Sequence, residues 1–172
     1  MTSQIVLSEK TWNDTTRQYP ALAFLEKYAK QVDSGDLSGP FYEFYAPSCT
    51  FYDTDGTIYQ GGSEIWEWMR RLFGQFRSIK HELENVLFIA SSPHPALGPG
   101  DSRSDLILLE AVTHFGLGGE KDESVAARRK LMFRVGKSEV EGQGTDGLQI
   151  LEGRVWWDRS ALLAKLKEMK ST

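Results

Sequence analysis

Read as a strand, Leu108 to Phe115 sends Leu108, Glu110, Val112 and His114 to one face, and Ala111, Thr113 and Phe115 to the other. If the first face lines a cavity, a carboxylate and an imidazole enter it together. Burial raises a carboxylate's pKa, while a nearby imidazolium lowers it. Two groups pushed apart in this way can act as acid and base near neutral pH. A contact from Asp33 would orient the His114 ring and stabilise its charged form. That pairing needs no metal and no cofactor. The alternatives are plain. Glu110 can face outward, as glutamate usually does. His81 can sit exposed at a strand start. Asp33 can simply help to end its helix, and Asp53 can support a turn with Asp55. His94, between two prolines in a loop, reads as a surface residue.

Other reactive patterns fail on spacing. Cys49 is the only cysteine, so no internal disulfide and no cysteine-based metal cluster can form; it reads as a small core residue of a strand rather than a nucleophile. Asp53-Thr54-Asp55-Gly56 lacks the ligand spacing of a calcium loop. Gly116-Leu117-Gly118-Gly119-Glu120-Lys121 is not a phosphate loop, since no Ser or Thr follows the lysine. His81, Glu110 and His114 have metal-binding chemistry, but nothing in their spacing favours a metal site.

The elements that position these groups follow from periodicity. Residues 1–16 form a polar lead-in. Leu22, Leu25, Ala29 and Val32 draw one stripe on a helix over residues 17–33, ended by Ser34-Gly35-Asp36. A short second helix is expected near 39–45, stopped by Ala46-Pro47. Cys49 to Tyr52 and Thr57 to Tyr59 form a hairpin across the turn at 53–56. Ser63 is the expected N-cap of an amphipathic helix carrying Ile65, Trp66, Met69, Leu72 and Phe73. Strands follow at roughly 79–90, 105–117, 125–135 and 147–157, then a helix at 160–169. The loops 91–104 and 136–147, rich in proline, glycine and polar residues, are expected to be mobile. On the last strand Leu151, Gly153, Val155 and Trp157 share one face, and Glu152, Arg154 and Trp156 share the other.

The totals bound the class. The chain has 172 residues, enough for one domain with a real core, which is expected to span the whole length. Its net charge of −4 disfavours broad nucleic-acid or anionic-membrane binding. No apolar run approaches the ~18 residues of a membrane helix. The polar N-terminus lacks a signal pattern and suggests a cytoplasmic protein. Helices gathered on one side of an antiparallel sheet define an α+β domain, and a curved sheet closed by helices leaves a cleft.

In this order and spacing the segments Val32 to Asp36, Phe44 to Asp53, Asp55 to Gly62 and Ile150 to Asp158 resemble the nuclear transport factor 2-like superfamily, over about residues 17–160. The resemblance implies a cone-shaped, curved antiparallel sheet wrapped by N-terminal helices. The superfamily includes ketosteroid isomerases, scytalone dehydratases and polyketide cyclases of the SnoaL-like group, besides non-catalytic modules. Tyr28 and Asp53 stand where an isomerase has its tyrosine and its aspartate base, but Leu131 replaces the second acid. Asp33, His81 and His114 match a dehydratase's aspartate and two histidines. Similarity to the class also puts Leu151, Val155 and Trp157 toward the pocket, and Trp156 toward a homodimer interface.

The expectation is therefore a cofactor-independent lyase or isomerase that moves a proton on a small, hydrophobic, cyclic carbonyl compound, of secondary metabolism. His114 would be the acid/base, with Asp33, His81, Glu110 and Asp53 as further catalytic candidates. Tyr28, Tyr52, Tyr59, Trp66, Val112, Leu131, Leu151, Val155 and Trp157 would hold the substrate. The alternative is a non-catalytic module that binds a hydrophobic ligand or dimerises through its sheet.

Overall fold

The computed structural model describes residues 9, 11–93, 103–118 and 123–170. Helix α1 (Asp14–Arg17) is one turn, closed by a reciprocal capping box between Asn13 and Thr16. Helix α2 (Pro20–Asp33) begins on Pro20, whose fixed φ suits a first helical position. It ends where expected, and Gly35 supplies the left-handed φ of 73°. Arg17 grips Glu26 of α2 with Nε at 2.8 Å and Nη2 at 2.9 Å, and Lys30 reaches the same carboxylate at 2.7 Å. The expected lead-in thus carries a helix pinned to α2, and Glu9 pairs in a β-bridge with Val86.

The expected second helix is only a 3-10 turn, Phe41–Glu43. The chain is extended again by Tyr45, and Ala46-Pro47 lie inside strand β1 (Tyr45–Tyr52). Proline is tolerated there because the β1–β6 register shifts between Tyr45 and Thr50, so its missing N–H costs no ladder bond. Strand β2 (Ile58–Gln60) completes the hairpin. Helix α3 (Gly62–Phe73) starts from Gly61, at φ 91°, rather than from the expected Ser63 cap.

Four longer strands follow: β3 (Ser78–Pro93), β4 (Arg103–Gly116), β5 (Ser124–Lys137) and β6 (Leu148–Trp157), then helix α4 (Ser160–Lys170). They join one six-stranded sheet in the order β2-β1-β6-β5-β4-β3. The sheet is mixed: β1 runs parallel to β6, whereas a wholly antiparallel sheet was expected. Register shifts mark bulges in β3 at Leu83/Asn85 and Ile89/Ser92, and in β5–β6 at Arg134/Val135. Such bulges bend strands and let a sheet curl.

The core lies between the inner sheet face and helices α2 and α3. Leu22, Phe24 and Leu25 of α2 and Ile65 and Met69 of α3 are buried against Val86, Ile107, Phe133 and Val155. Most of the expected loop 91–104, with His94, lies outside the described residues. The turn at 138–147 is tied down: Gly144 N–H donates to Tyr42 O at 3.0 Å, Thr145 Oγ1 to Glu43 O at 2.9 Å, and Lys27 pairs with Asp146 at 2.6 Å. No helix among the described residues is long and apolar enough to cross a membrane.

Candidate active site

Helices α2 and α3 stand off the sheet far enough to leave a cavity of about 680 Å³, counting its open mouth. Leu25, Tyr28, Ala29 and Val32 line it from α2, and Trp68, Met69 and Phe73 from α3. Phe51, Leu83, Leu109, Ala111, Leu131 and Phe133 form the sheet wall, and Trp12, just before α1, closes one side. The lining is almost wholly apolar, as small-molecule pockets usually are. Three residues break that pattern: Tyr28, His81 and Arg129.

His81 is held by Asp33. The carboxylate, in the last turn of α2, lies 2.5 Å from His81 Nδ1. It also accepts the backbone N–H of His81 through both oxygens at 3.1 Å. On the other edge of the ring, Arg129 Nη1 lies 3.3 Å from Nε2. A guanidinium can only donate and a carboxylate accepts. The two partners therefore dictate the tautomer: Nδ1 carries the proton and Nε2 keeps its lone pair. Burial holds the His81 pKa below its ordinary 6.5; Asp33 opposes this shift and the Arg129 charge reinforces it. His81 is thus a neutral imidazole with a basic nitrogen at the cavity wall.

Arg129 is 3% exposed. Its guanidinium lies over the Trp157 ring at 4.9 Å. Burial lowers its pKa to about 10, so it stays charged at neutral pH. Tyr28 shares a 2.5 Å hydrogen bond with Tyr45, and both hydroxyls also reach Met69 Sδ. Burial pushes the Tyr28 hydroxyl up to about 12, so it is a neutral donor.

The expected partner of Asp33 was His114, and here the structure differs. In β4 the buried face is Ile107, Leu109, Ala111, Thr113 and Phe115. Glu110, Val112 and His114 therefore point away from the cavity. His114 Nε2 lies 3.3 Å from Glu82, with side-chain exposures of 39% and 68%. Glu110 pairs with Lys130 at 3.1 Å. These are cross-strand pairs of an outer face. Glu110 takes the outward orientation that was the open alternative.

Other expected residues also sit elsewhere. Asp53 is buried but away from the lining; it meets Arg159 Nη1 at 3.3 Å and caps Thr54 N–H at 2.7 Å. Tyr52 lies under the Arg154 guanidinium at 4.3 Å, and Tyr59 stacks on Trp68 at 4.6 Å, outside the lining. Trp66 is a core residue whose Nε1–H donates to Gly39 O at 2.8 Å. Leu151, Val155 and Trp157 face inward as expected but are covered by other side chains. Only Asp33, His81, Tyr28 and Leu131 of the expected set lie in or against the cavity. Arg129 and Trp68 were not anticipated. Arg129 shares its strand parity with Leu131 and Phe133, and that signal could have found it. Among the described residues no group of three His, Cys, Asp or Glu side chains is placed to hold a metal.

No family model and no curated protein matches the chain. Solved structures do. Aln2 from a Streptomyces species aligns at TM-score 0.61 with 14% identity, covering 86% of this chain and 96% of that one. A dehydratase candidate of the NTF2-like family from Streptomyces avermitilis aligns at 0.60 with 13% identity, over 83% and 96%. The Mex67 NTF2-like domain from Chaetomium thermophilum, complexed with Mtr2, aligns at 0.60 with 11% identity, over 83% and 99%. These likenesses extend over nearly the whole of each relative. The chain has the nuclear transport factor 2-like (NTF2-like) fold.

Proposed function

We propose that the chain is a cofactor-independent lyase or isomerase that moves a proton on a small, ring-bearing carbonyl compound. The fold alone does not carry this, because one fold hosts many chemistries. The observation that supports it is the Asp33–His81 pair, which sets an unprotonated Nε2 at the wall of an apolar cavity, beside Arg129. The basic atom is His81 Nε2, and the acid/base role expected for His114 passes to His81. A proton on the carbon next to a carbonyl would pass to Nε2, and the C–H electrons would become the enolate. Asp33 stabilises the imidazolium so formed. Returning the proton to another carbon completes an isomerisation; giving it to a departing hydroxyl completes a dehydration. The carbonyl oxygen and its neighbouring carbon are two bonds apart, a span that suits Arg129 Nη1 and His81 Nε2. A dehydratase candidate and a candidate SnoaL-like polyketide cyclase are among the structures of similar fold.

The test is deuterium uptake from D2O by a panel of small cyclic ketones, followed by NMR. The wild-type chain should catalyse exchange, and His81→Ala should lower it about 10²-fold. His114→Ala should not change it. Exchange that survives His81→Ala would remove His81 as the base, and none with any ketone would leave the non-catalytic ligand-binding reading.

The outer sheet face favours a homodimer. Trp156 is 44% exposed there, beside Arg154 and Tyr52. An exposed tryptophan with an arginine is typical of interface centres. Trp156→Glu should shift the sedimentation profile from dimer to monomer, and an unchanged profile removes this interface.

A further inference from the structure

We infer that Arg129 is an anion subsite and that the molecule this cavity takes carries a negatively charged oxygen on its ring system. The inference rests on the proposed use of the cavity as a substrate site and names the substrate class.

The first support is an uncompensated charge. Arg129 is 3% exposed and is charged at neutral pH. Among the described residues it makes no ion pair. Its polar contact is the Nη1–H that it donates to His81 Nε2, and its flat face meets Trp157. Among the same residues its buried Nε has no acceptor. The carboxylate whose charge acts on it is Asp53, which makes no hydrogen bond to it and is itself engaged by Arg159 and the Thr54 N–H. A buried charge lacking a partner is strongly destabilising, and such groups cluster at functional sites.

The second support is where the charge sits. Arg129 is part of the cavity lining, between Leu131 on its own strand and His81 across the wall. The remaining wall is apolar apart from Tyr28, whose neutral hydroxyl is engaged with Tyr45 and Met69. A fully neutral hydrocarbon ligand would cover the guanidinium and deepen its desolvation. An anionic oxygen would supply the missing charge, and the rest of the molecule would lie on Leu25, Trp68 and Leu109. A purely structural Arg129 would account for its contacts with Trp157 and His81. It would leave the charge itself without a function.

The charged oxygen can come from a carboxylate or from an acidic enol, and equilibrium binding separates the two. Calorimetry should compare 2-naphthoate, the enolate of dimedone and the neutral 2-naphthamide on the wild-type chain. One or both anions should bind at least about tenfold tighter than the amide, and whichever does so names the source. Arg129→Met should erase that preference, and Arg129→Lys should keep part of it, since lysine retains the charge but loses the planar fork. Arg129→Met should also raise the melting temperature of the ligand-free chain. Equal affinity for anions and amide, no saturable anion binding, or a preference that survives Arg129→Met overturns the inference. If Arg129→Met fails to fold, the wild-type comparison and Arg129→Lys decide it. The readout is binding without turnover. Intact anion preference in a wild-type chain that catalyses no exchange, or whose exchange survives His81→Ala, therefore refutes the His81 base alone, and His81-dependent exchange without anion preference refutes the subsite alone.

Discussion

Asp33 holds His81 at two points, accepting from the ring Nδ1 at 2.5 Å and from the backbone N–H at 3.1 Å. The double contact ties the end of α2 to β3, so the ring cannot turn without loosening the junction of helix and sheet. The partner on Nε2 is a cation, which opposes protonation, whereas Asp33 favours it.

The pH dependence of proton transfer follows. His81 works as the neutral base, so kcat/KM should fall on the acid side as His81 takes up a proton. Burial lowers its pKa from 6.5, and Arg129 adds to that effect. The acid limb should therefore lie below 6.5. Arg129→Met should move the limb to higher pH, and Asp33→Asn to lower pH. A pH–rate profile of the three proteins checks all three directions.

Acid stability should depend on Glu26. Its hydrogen bond from Arg17, helped by Lys30, lowers its pKa from 4.5 to about 2. Above pH 4.5 the carboxylate is ionised in both folded and unfolded chains, and its stabilising contribution is complete. As pH falls toward 2 the unfolded chain takes up the proton first, and the contribution is lost. Arg17→Ala should thus raise the midpoint pH of acid unfolding followed by circular dichroism. The same variant should loosen Trp12, five residues away on the cavity rim.

Cys49 should be inert in the native state. It has no exposed surface, and burial pushes its thiol well above the ordinary range, with the Glu139 and Glu152 charges adding to the shift. Ellman's reagent should not react with the folded chain and should label one thiol per chain in guanidinium. Rapid labelling of the folded form would contradict this packing.

Gly153 should tolerate no side chain. A β-carbon there would collide with the ring of Phe51, which itself lines the cavity. Gly153→Val should cost ~1–3 kcal/mol in chemical denaturation. It should also weaken binding of any cavity ligand, because a displaced Phe51 alters the cavity wall.

Much of the fold is legible in the residues. Leu22, Leu25 and Val32 mark the buried stripe of α2, and Gly35 marks its end. In β6 the inward set Leu151, Gly153, Val155 and Trp157 matches strict alternation. Strand β4 resists the same reading because apolar residues fall on both of its faces. What settles it is the neighbouring strand, which sets Lys130 opposite Glu110 and Arg128 opposite Val112 on the outer face. The partner of Asp33 is equally non-local. It depends on which strand passes the end of α2, and that strand is β3 with His81. Arg129 is concealed by its neighbours, since Arg128-Arg129-Lys130 reads as a solvated basic run. Only its parity with Leu131 and Phe133 places it inside.

The parallel pairing of β1 with β6 carries a consequence for biosynthesis. Strand β6 sits between β1 and β5 in the sheet. On the ribosome, Tyr45 to Gln60 emerges early, yet its hydrogen-bonding neighbour is translated almost a hundred residues later. Until Leu148 to Trp157 leaves the exit tunnel, the hairpin has no sheet to join and Phe51 has no backing for its ring. Nascent chains stalled before that point carry both His81 and Arg129 but cannot close the wall between them and the hairpin. Binding should therefore appear only once Leu148 to Trp157 has joined the sheet.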